Sequence, residues 1–225
     1  MPKRGLQEKL VDVTREWLFG RVMPKAFLKH LQKHLKDTFP DRATALMAEI
    51  RAQIPPILAA SDDVFPDEAG RDMLEISATA LAAFRVLSPV IGDEEKTIEL
   101  FRHIASQFGL RSTRLGTRLL MAKPGSKIAT IDSTFKGSAP ILGKAWEVTF
   151  TRDGDQFFEM RFTRCGFHDF FARNGVEQLT TLFCAWDRTW LDEITPERNG
   201  IEATRPTTLG YGGGACPFQF RATTG

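Results

Sequence analysis

The chain has 225 residues, of which 42% are hydrophobic and 26% charged, and this balance is that of an ordinary globular protein. A net charge of +2 is too small to indicate nucleic-acid binding by itself. Three cysteines argue against a disulfide framework, and the chain begins without the apolar segment of a signal peptide. We identify no apolar run of membrane-spanning length and therefore expect a cytoplasmic protein with no membrane or nucleic-acid partner.

Apolar residues recur at helical spacing throughout the first 120 residues. The earliest such face consists of Leu6, Leu10, Val13, Trp17 and Leu18. Further helices are predicted over residues 27–36, 42–54, 66–84, 93–104 and 112–121. Pro55 and Pro56 are expected to break the chain after residue 54, because proline lacks the N–H group that a helix needs.

A basic stripe marks the last of these predicted helices. Arg111, Arg114 and Arg118 follow one another at spacings of three and four residues, so they share one helical face. The stripe fits either a wall that binds carboxylate or phosphate, or a solvated face. We favour an ordinary structural role, which is either a solvated helix face or a stripe paired with the acidic segment 61–99.

Strand-like patterns appear after residue 123. Residues 146–152 and 156–164 alternate between apolar and polar side chains, which predicts two antiparallel strands. Asp153 and Gly154 lie between them, and this pair favours a type I′ hairpin turn. Helical spacing returns over residues 167–194, with a break at Asn174 and Gly175.

A second hairpin is predicted from residues 201–207 and 215–222, joined by a glycine-rich connection. The predicted fold class is therefore α+β, with a helical N-terminal half packed on a small antiparallel sheet built from two hairpins separated by helices. We expect one domain over residues 1–225, with a helical part (1–122) and an α+β part (123–225).

Chemically reactive side chains gather near the C-terminus. Cys165 is predicted to end a strand, and His168 to follow it on the first turn of a helix. Cys184 and Asp187 share a face of a later helix, and Cys216 begins the last strand. Each has an ordinary structural interpretation as well, since a free cysteine is usually a small buried hydrophobe.

The glycine run over 212–214 does not indicate nucleotide binding. It contains no lysine and does not follow the strand–loop–helix order of a phosphate-binding loop. It suits a tight hairpin connection, because glycine accepts positive φ.

Taken together, the segments 165–187 and 205–220 resemble the L-2-amino-thiazoline-4-carboxylic acid hydrolase family. That family typically shows a cysteine, then a segment ending in F-C-x-x-D, then R-x-x-T-L-x-x-G-G closing with C-x-F-x-F. The middle element is matched by Phe183, Cys184 and Asp187. The last is matched by Arg205, Thr208, Leu209, Gly212, Gly213, Cys216, Phe218 and Phe220. Pro217 departs from the pattern, because members often carry an acid after the cysteine.

The resemblance implies a hydrolase that opens a small thiazoline- or amidine-like ring containing a carbon–nitrogen bond. It also implies distant kinship with 4-vinyl reductase-like domains, which bind small molecules and in some cases hold zinc near the final hairpin. The alternative is therefore a ligand-binding or sensor module without catalysis, in which Trp186, Trp190 and Tyr211 line an apolar pocket.

For an enzyme, Cys184 is the first candidate for the nucleophile, with His168 as base or acid oriented by Asp187 and Cys216 as a further catalytic candidate. Arg205 is a candidate for binding a substrate carboxylate. The remaining candidates for substrate binding are Thr208, Tyr211, Gly212, Gly213 and Trp186, with the glycine N–H groups forming an anion-binding nest.

No cofactor is expected. The alternative is a zinc site of Cys₃His type, with Cys165, His168, Cys184 and Cys216 as ligands. We expect a small-molecule substrate that bears a carboxylate, and the sequence leaves open whether the protein is a homodimer.

Overall fold

The computed structural model describes residues 21–61, 63–107 and 110–223, so the predicted face over residues 6–18 lies outside the described part. Helices dominate the described chain up to residue 138. They are α1 (Met23–Thr38), α2 (Ala43–Ala59), α3 (Glu68–Ile91), α4 (Glu94–Gln107), α5 (Leu110–Met121) and α6 (Lys127–Ser138). The predicted helices within this range are confirmed, although their ends differ by several residues.

Helix α2 runs through the two prolines that were expected to end it. Pro55 and Pro56 are exposed and remain inside the helix, which continues to bury Ile57. The carbonyl groups that lose their helical partners belong to Arg51 and Ala52, which are themselves exposed and accessible to water. The predicted break is therefore wrong, because burial of the residue beyond the prolines keeps the last turn in place.

Helix α3 is the central helix of the core. Asp67 caps its start by accepting a hydrogen bond from Gly70 N at 2.9 Å, and Gly92 ends it with a positive φ of 73°. By length and composition α3 is long and apolar enough to cross a membrane, so the expectation of no apolar run of that length is wrong. However, 72% of its most apolar window is buried inside the protein, as in a core helix.

The C-terminal part contains a four-stranded antiparallel sheet in the order β1-β2-β4-β3. The strands are β1 (Glu147–Asp153), β2 (Phe157–Arg164), β3 (Ile201–Thr204) and β4 (Cys216–Ala222). The helices between the two hairpins are α7 (Gly166–Arg173), α8 (Thr181–Leu191) and the short α9 (Pro196–Asn199). The α+β class and the first hairpin are confirmed, and β2 pairs with β4 so that both hairpins form one sheet.

The turn of the first hairpin differs from the predicted type I′. Three residues separate the strands, and Gln156 N donates to Asp153 O at 3.0 Å. Gly154 has a φ of 50°, but no described residue other than glycine has a positive φ. Type I′ needs positive φ at both central positions, and Asp155 occupies the second, so the prediction is wrong.

The basic stripe on α5 pairs with a different acid from the one expected. Arg114 Nε lies 3.1 Å and Arg118 Nε 2.7 Å from the carboxylate of Glu193, which follows α8 and is almost fully buried. Arg198 contacts the same carboxylate at 2.7 Å. Pairing with the acidic segment 61–99, one of the two structural alternatives, is therefore wrong for Arg114 and Arg118, because the fold brings α5 beside the end of α8.

Candidate functional site

A cavity of about 330 Å³ lies between the sheet and the helices that cover it. The sheet contributes Val148, Phe150, Met160, Phe162, Cys216 and Phe218. The segment from α6 to the start of β1 contributes Phe135, Ser138, Ala139, Ile141, Leu142 and Trp146. Helix α8 and its approach contribute Thr180, Phe183, Cys184, Trp186, Asp187 and Trp190. The cavity thus lies between two hydrophobic clusters, one among the helices and one beneath the sheet. Phe162 packs against both clusters.

Aromatic rings form most of the cavity wall. The ring centroids of Phe135 and Trp190 are 5.3 Å apart, and those of Trp190 and Phe218 are 5.5 Å apart in a stacked arrangement. On the other side Phe167 stacks on Phe183 at 3.7 Å. Such contacts hold the rings in place and present an apolar surface to a ligand.

One ion pair supplies the charge in the cavity. Arg205 Nη1 donates to Asp187 Oδ2 at 2.9 Å, and Arg205 Nη2 donates to the carbonyl of Cys184 at 2.7 Å. The guanidinium lies 5.0 Å from the ring centroid of Phe218, which gives it a cation–π contact. The Arg205 side chain is only 5% exposed, so the last loop holds α8 through a buried cation.

Asp187 is the carboxylate that faces the cavity. Burial raises the pKa of this carboxyl group to about 6, and the positive charge of Arg205 limits the rise. Trp190 Nε1 lies 3.5 Å from the other oxygen, so the carboxylate is held between an arginine and an indole. A carboxyl group with a pKa near neutrality suits proton transfer.

All three cysteines are free and line the same cavity. Burial raises the pKa of Cys165 to about 12. Burial, followed by the negative charge of Asp187, raises the pKa of Cys184 to about 11. These two sulfurs are therefore thiols near neutral pH, and a reaction through either needs a base to accept its proton.

Two residues of the last loop contact the sulfurs directly. The Cys184 thiol donates to Thr208 Oγ1 at 3.6 Å, and Leu209 N donates to Cys216 Sγ at 3.1 Å. Burial also raises the pKa of Cys216, but the Leu209 N–H group opposes the rise. Thr208 Oγ1 accepts a second hydrogen bond from Tyr211 N at 3.2 Å, which ties the loop to the sulfur site.

Close backbone approach explains two glycines of this loop. A Cβ atom on Gly210 would lie 3.1 Å from the sulfur of Cys184, so the loop backbone forms part of the cavity wall. A Cβ atom on Gly213 would clash with Thr207 Oγ1. Glycine permits both approaches because it has no side chain.

The structure brings seven of the residues predicted for the site to the cavity wall: Cys165, Cys184, Cys216, Asp187, Arg205, Trp186 and Trp190. Thr208 contacts Cys184 from behind the wall. Gly212, Gly213 and Tyr211 do not line the cavity, and the Tyr211 side chain is largely exposed.

The His168 ring lies outside the cavity wall that contains Cys184 and Asp187, the residues with which it was predicted to act. Its Nδ1 atom lies 3.5 Å from Thr180 Oγ1, and its ring is absent from the cavity wall. The helix α7 starts at Gly166, so His168 lies in its first turn, and the His168 ring contacts Thr180 there. The predicted orientation of His168 by Asp187 is therefore not formed, and Arg205 holds that carboxylate instead.

The predicted zinc ligands were Cys165, His168, Cys184 and Cys216. Over residues 21–61, 63–107 and 110–223, no three or more His, Cys, Asp or Glu side chains lie close enough together to hold one metal ion. The four side chains therefore do not form a single ligand cluster.

Several wall residues were not predicted from the sequence. Phe135, Trp146, Phe150 and Phe162 all line the cavity. The strand alternation places Phe150 and Phe162 on one face, but it does not show that the face borders a cavity. Phe135 continues the helical spacing of buried Ile128 and Ile131, a pattern that indicates core rather than a binding wall.

Comparison with known protein families gives a match over residues 72–220, and the family is described as L-2-amino-thiazoline-4-carboxylic acid hydrolase. The matched range covers well over half of the chain and includes most of α3, all of β1, β2 and β3, and β4 as far as Phe220. The same comparison with individual curated proteins finds no match. From the family match, together with the F-C-x-x-D segment and the closing C-x-F-x-F strand, the chain belongs to the L-2-amino-thiazoline-4-carboxylic acid hydrolase family.

Proposed function

We propose that the protein hydrolyses a small thiazoline- or amidine-like ring within this cavity. The observation that carries the proposal is Asp187, a carboxylate with a pKa of about 6 that faces the cavity beside Cys184 and is held by Arg205. The family name supports hydrolysis as the reaction type. Ring opening by water needs a nucleophile, a group that accepts and returns a proton, and a site that positions the ring.

Asp187 is the proposed proton acceptor. Its pKa of about 6 leaves it mostly ionised near neutrality, yet its conjugate acid is strong enough to return the proton to a leaving group. This role replaces the one assigned to His168, whose ring contacts Thr180 and is not itself part of the cavity wall. Arg205 acts as a positioning residue for Asp187, because two of its five N–H donors are already engaged.

Cys184 is the proposed nucleophile, and Asp187 accepts and returns the proton in each step. The sulfur forms a bond to the amidine-type carbon while Asp187 accepts the thiol proton. A ring bond from that carbon to nitrogen or sulfur then breaks, and Asp187 returns the proton to the departing atom. Water next attacks the same carbon with loss of a proton to Asp187. The bond to Cys184 breaks, and the proton restores the thiol, so the net reaction adds one water.

Turnover of 2-amino-thiazoline-4-carboxylate, measured by mass spectrometry as a product heavier by one water, tests the proposal. We expect Asp187→Asn to lower kcat by at least about 100-fold, the range for loss of a general base. Asp192→Asn is the matched control, because Asp192 pairs with Arg188 outside the cavity wall. Unchanged turnover in Asp187→Asn excludes Asp187 as the base.

A ligand-binding module without catalysis is the second candidate, and the aromatic wall favours it. Protonated thiols and an apolar cavity also suit simple binding. Saturable binding of thiazolines and cyclic amidines, with no product from any of them, supports this second function and contradicts the first.

A further inference from the structure

We propose that the natural substrate carries a ring-sized apolar group in addition to the small polar ring that is hydrolysed. The inference rests on the proposed function for the identity of the polar ring. It assigns that ring to the ion pair of Asp187 and Arg205, and it assigns the apolar group to the surface formed by Phe218, Trp190, Phe135 and Phe150.

The first argument is the size of the cavity. A volume of about 330 Å³ falls within the range of about 300–1,000 Å³ that is typical of pockets for drug-sized ligands. A single five-membered ring with an amino group and a carboxylate is a fragment on that scale. It would leave much of this cavity filled with water against apolar side chains.

The second argument is the arrangement of polar and apolar groups. The charged groups of the wall are Asp187 and Arg205, which contact each other directly. A polar ring is expected beside them, because burying polar groups without partners is costly. The rest of the wall is largely aromatic or aliphatic and offers little to a polar ligand.

The third argument is continuity between the two regions. The Arg205 guanidinium lies over the Phe218 ring, Trp190 stacks on Phe218, and Phe135 contacts Trp190 at 5.3 Å. The Trp190 indole also contacts Asp187. The aromatic surface therefore begins at the ion pair, so one molecule can contact both regions without crossing a gap.

Tryptophan fluorescence can measure binding without any reaction, because Trp146, Trp186 and Trp190 all line the cavity. We compare the dissociation constant of 2-amino-thiazoline-4-carboxylate with that of the same compound bearing a phenyl group on ring carbon 5. Full burial of a phenyl-sized group stabilises binding enough to make the phenyl compound roughly 10- to 100-fold tighter. A ratio below about threefold overturns the inference, as does weaker binding of the phenyl compound.

Phe135→Ala should lower this ratio to about threefold or less, since it removes one ring of the proposed surface. Phe157→Ala should keep the ratio of the unaltered protein, because Phe157 lies against Arg221 and outside the cavity wall. Both compounds are measured on each variant. A loss of folded protein changes both dissociation constants alike and therefore leaves their ratio unchanged. Equal ratios in the two variants overturn the inference.

The outcomes separate this inference from the proposed function. Tighter binding of the phenyl compound without hydrolysis of either compound supports the ligand class and contradicts hydrolysis. Hydrolysis of both compounds with equal affinity supports the proposed function and overturns the inference. Absence of binding by both compounds overturns the two together.

Discussion

Arg205 and Asp187 join the last loop to helix α8 through a contact of 2.9 Å at the wall of the cavity. The arginine side chain is 5% exposed and the aspartate side chain 29% exposed, so the cation is the more deeply buried partner. The same guanidinium binds the backbone carbonyl of Cys184. One side chain therefore holds both the proposed base and the turn of helix that carries the proposed nucleophile.

Arg205→Met should raise the pKa of Asp187 above its value of about 6, because the guanidinium is what limits the effect of burial. The acid limb of the pH profile of kcat/KM should then move to higher pH. We also expect a loss of about 3 kcal/mol in unfolding free energy, the cost of breaking a buried pair. Arg188→Met, which breaks an exposed pair with Asp192, should cost less than about 1 kcal/mol and leave the pH profile in place.

Asp187 should make the protein less stable as the pH rises from about 4 to 6. Its carboxyl pKa is raised in the folded state from 3.8 to about 6, so the folded protein binds the proton more tightly than the unfolded chain. This contribution is complete below the unfolded pKa and is lost as the pH rises through the folded one, on the order of 2–3 kcal/mol. Urea unfolding of the wild type and Asp187→Asn should give a stability difference that changes over this window. A constant difference would contradict the raised pKa.

Serine substitutions should distinguish the catalytic role proposed for Cys184 from the structural roles of Cys165 and Cys216. Cys184→Ser should lower kcat by at least about 100-fold with little change in substrate affinity, because a hydroxyl group is a poorer nucleophile than a thiol. Cys165→Ser and Cys216→Ser should mainly destabilise the fold, by about 1–3 kcal/mol, since each places a hydroxyl group against the largely apolar cavity wall. Steady-state kinetics and melting temperatures measure both effects. Full activity in Cys184→Ser would remove the covalent route.

Gly213 and Gly214 provide a matched test of the last loop. A Cβ atom on Gly213 would also lie 3.0 Å from the carbonyl of Thr208, which contacts Cys184. A Cβ atom on Gly214 would meet nothing within 4 Å. Gly213→Ala should therefore cost about 1–3 kcal/mol in unfolding free energy and reduce turnover, as expected when a packed site is overfilled. Gly214→Ala should do neither, and equal effects of the two changes would contradict this account.

The sequence predicted those features that depend on local spacing. Cys184 and Asp187 were expected on one helical face because they are three residues apart, and α8 places both at the cavity. The alternation around Phe150 and Phe162 predicted the first hairpin for the same reason. In both cases the period of the backbone fixes the direction of the side chain.

Features that depend on distant contacts were not predictable in this way. Glu193 forms ion pairs with Arg114 and Arg118 of α5, although Arg118 is 75 residues away in the sequence. His168 lies three residues from Cys165 in sequence, but its ring in the first turn of α7 contacts Thr180. Helical spacing gives the face of a residue, but it does not identify the neighbour on the opposing element.

The two hydrogen bonds of the Asp67 carboxylate predict an order in which parts of the chain fold. The Asp67 side chain caps α3 three residues away, whereas its other oxygen accepts a hydrogen bond from Lys144 N, 77 residues along the chain, at 2.7 Å. The cap forms with the helix, but the second bond requires closure of a long loop, and contacts of that kind form slowly. We therefore expect the segment that carries Trp146 into the cavity wall to dock after the folding transition state. Trp146→Phe should then accelerate unfolding in stopped-flow measurements while leaving the refolding rate nearly unchanged, so the binding cavity is assembled last and opens first.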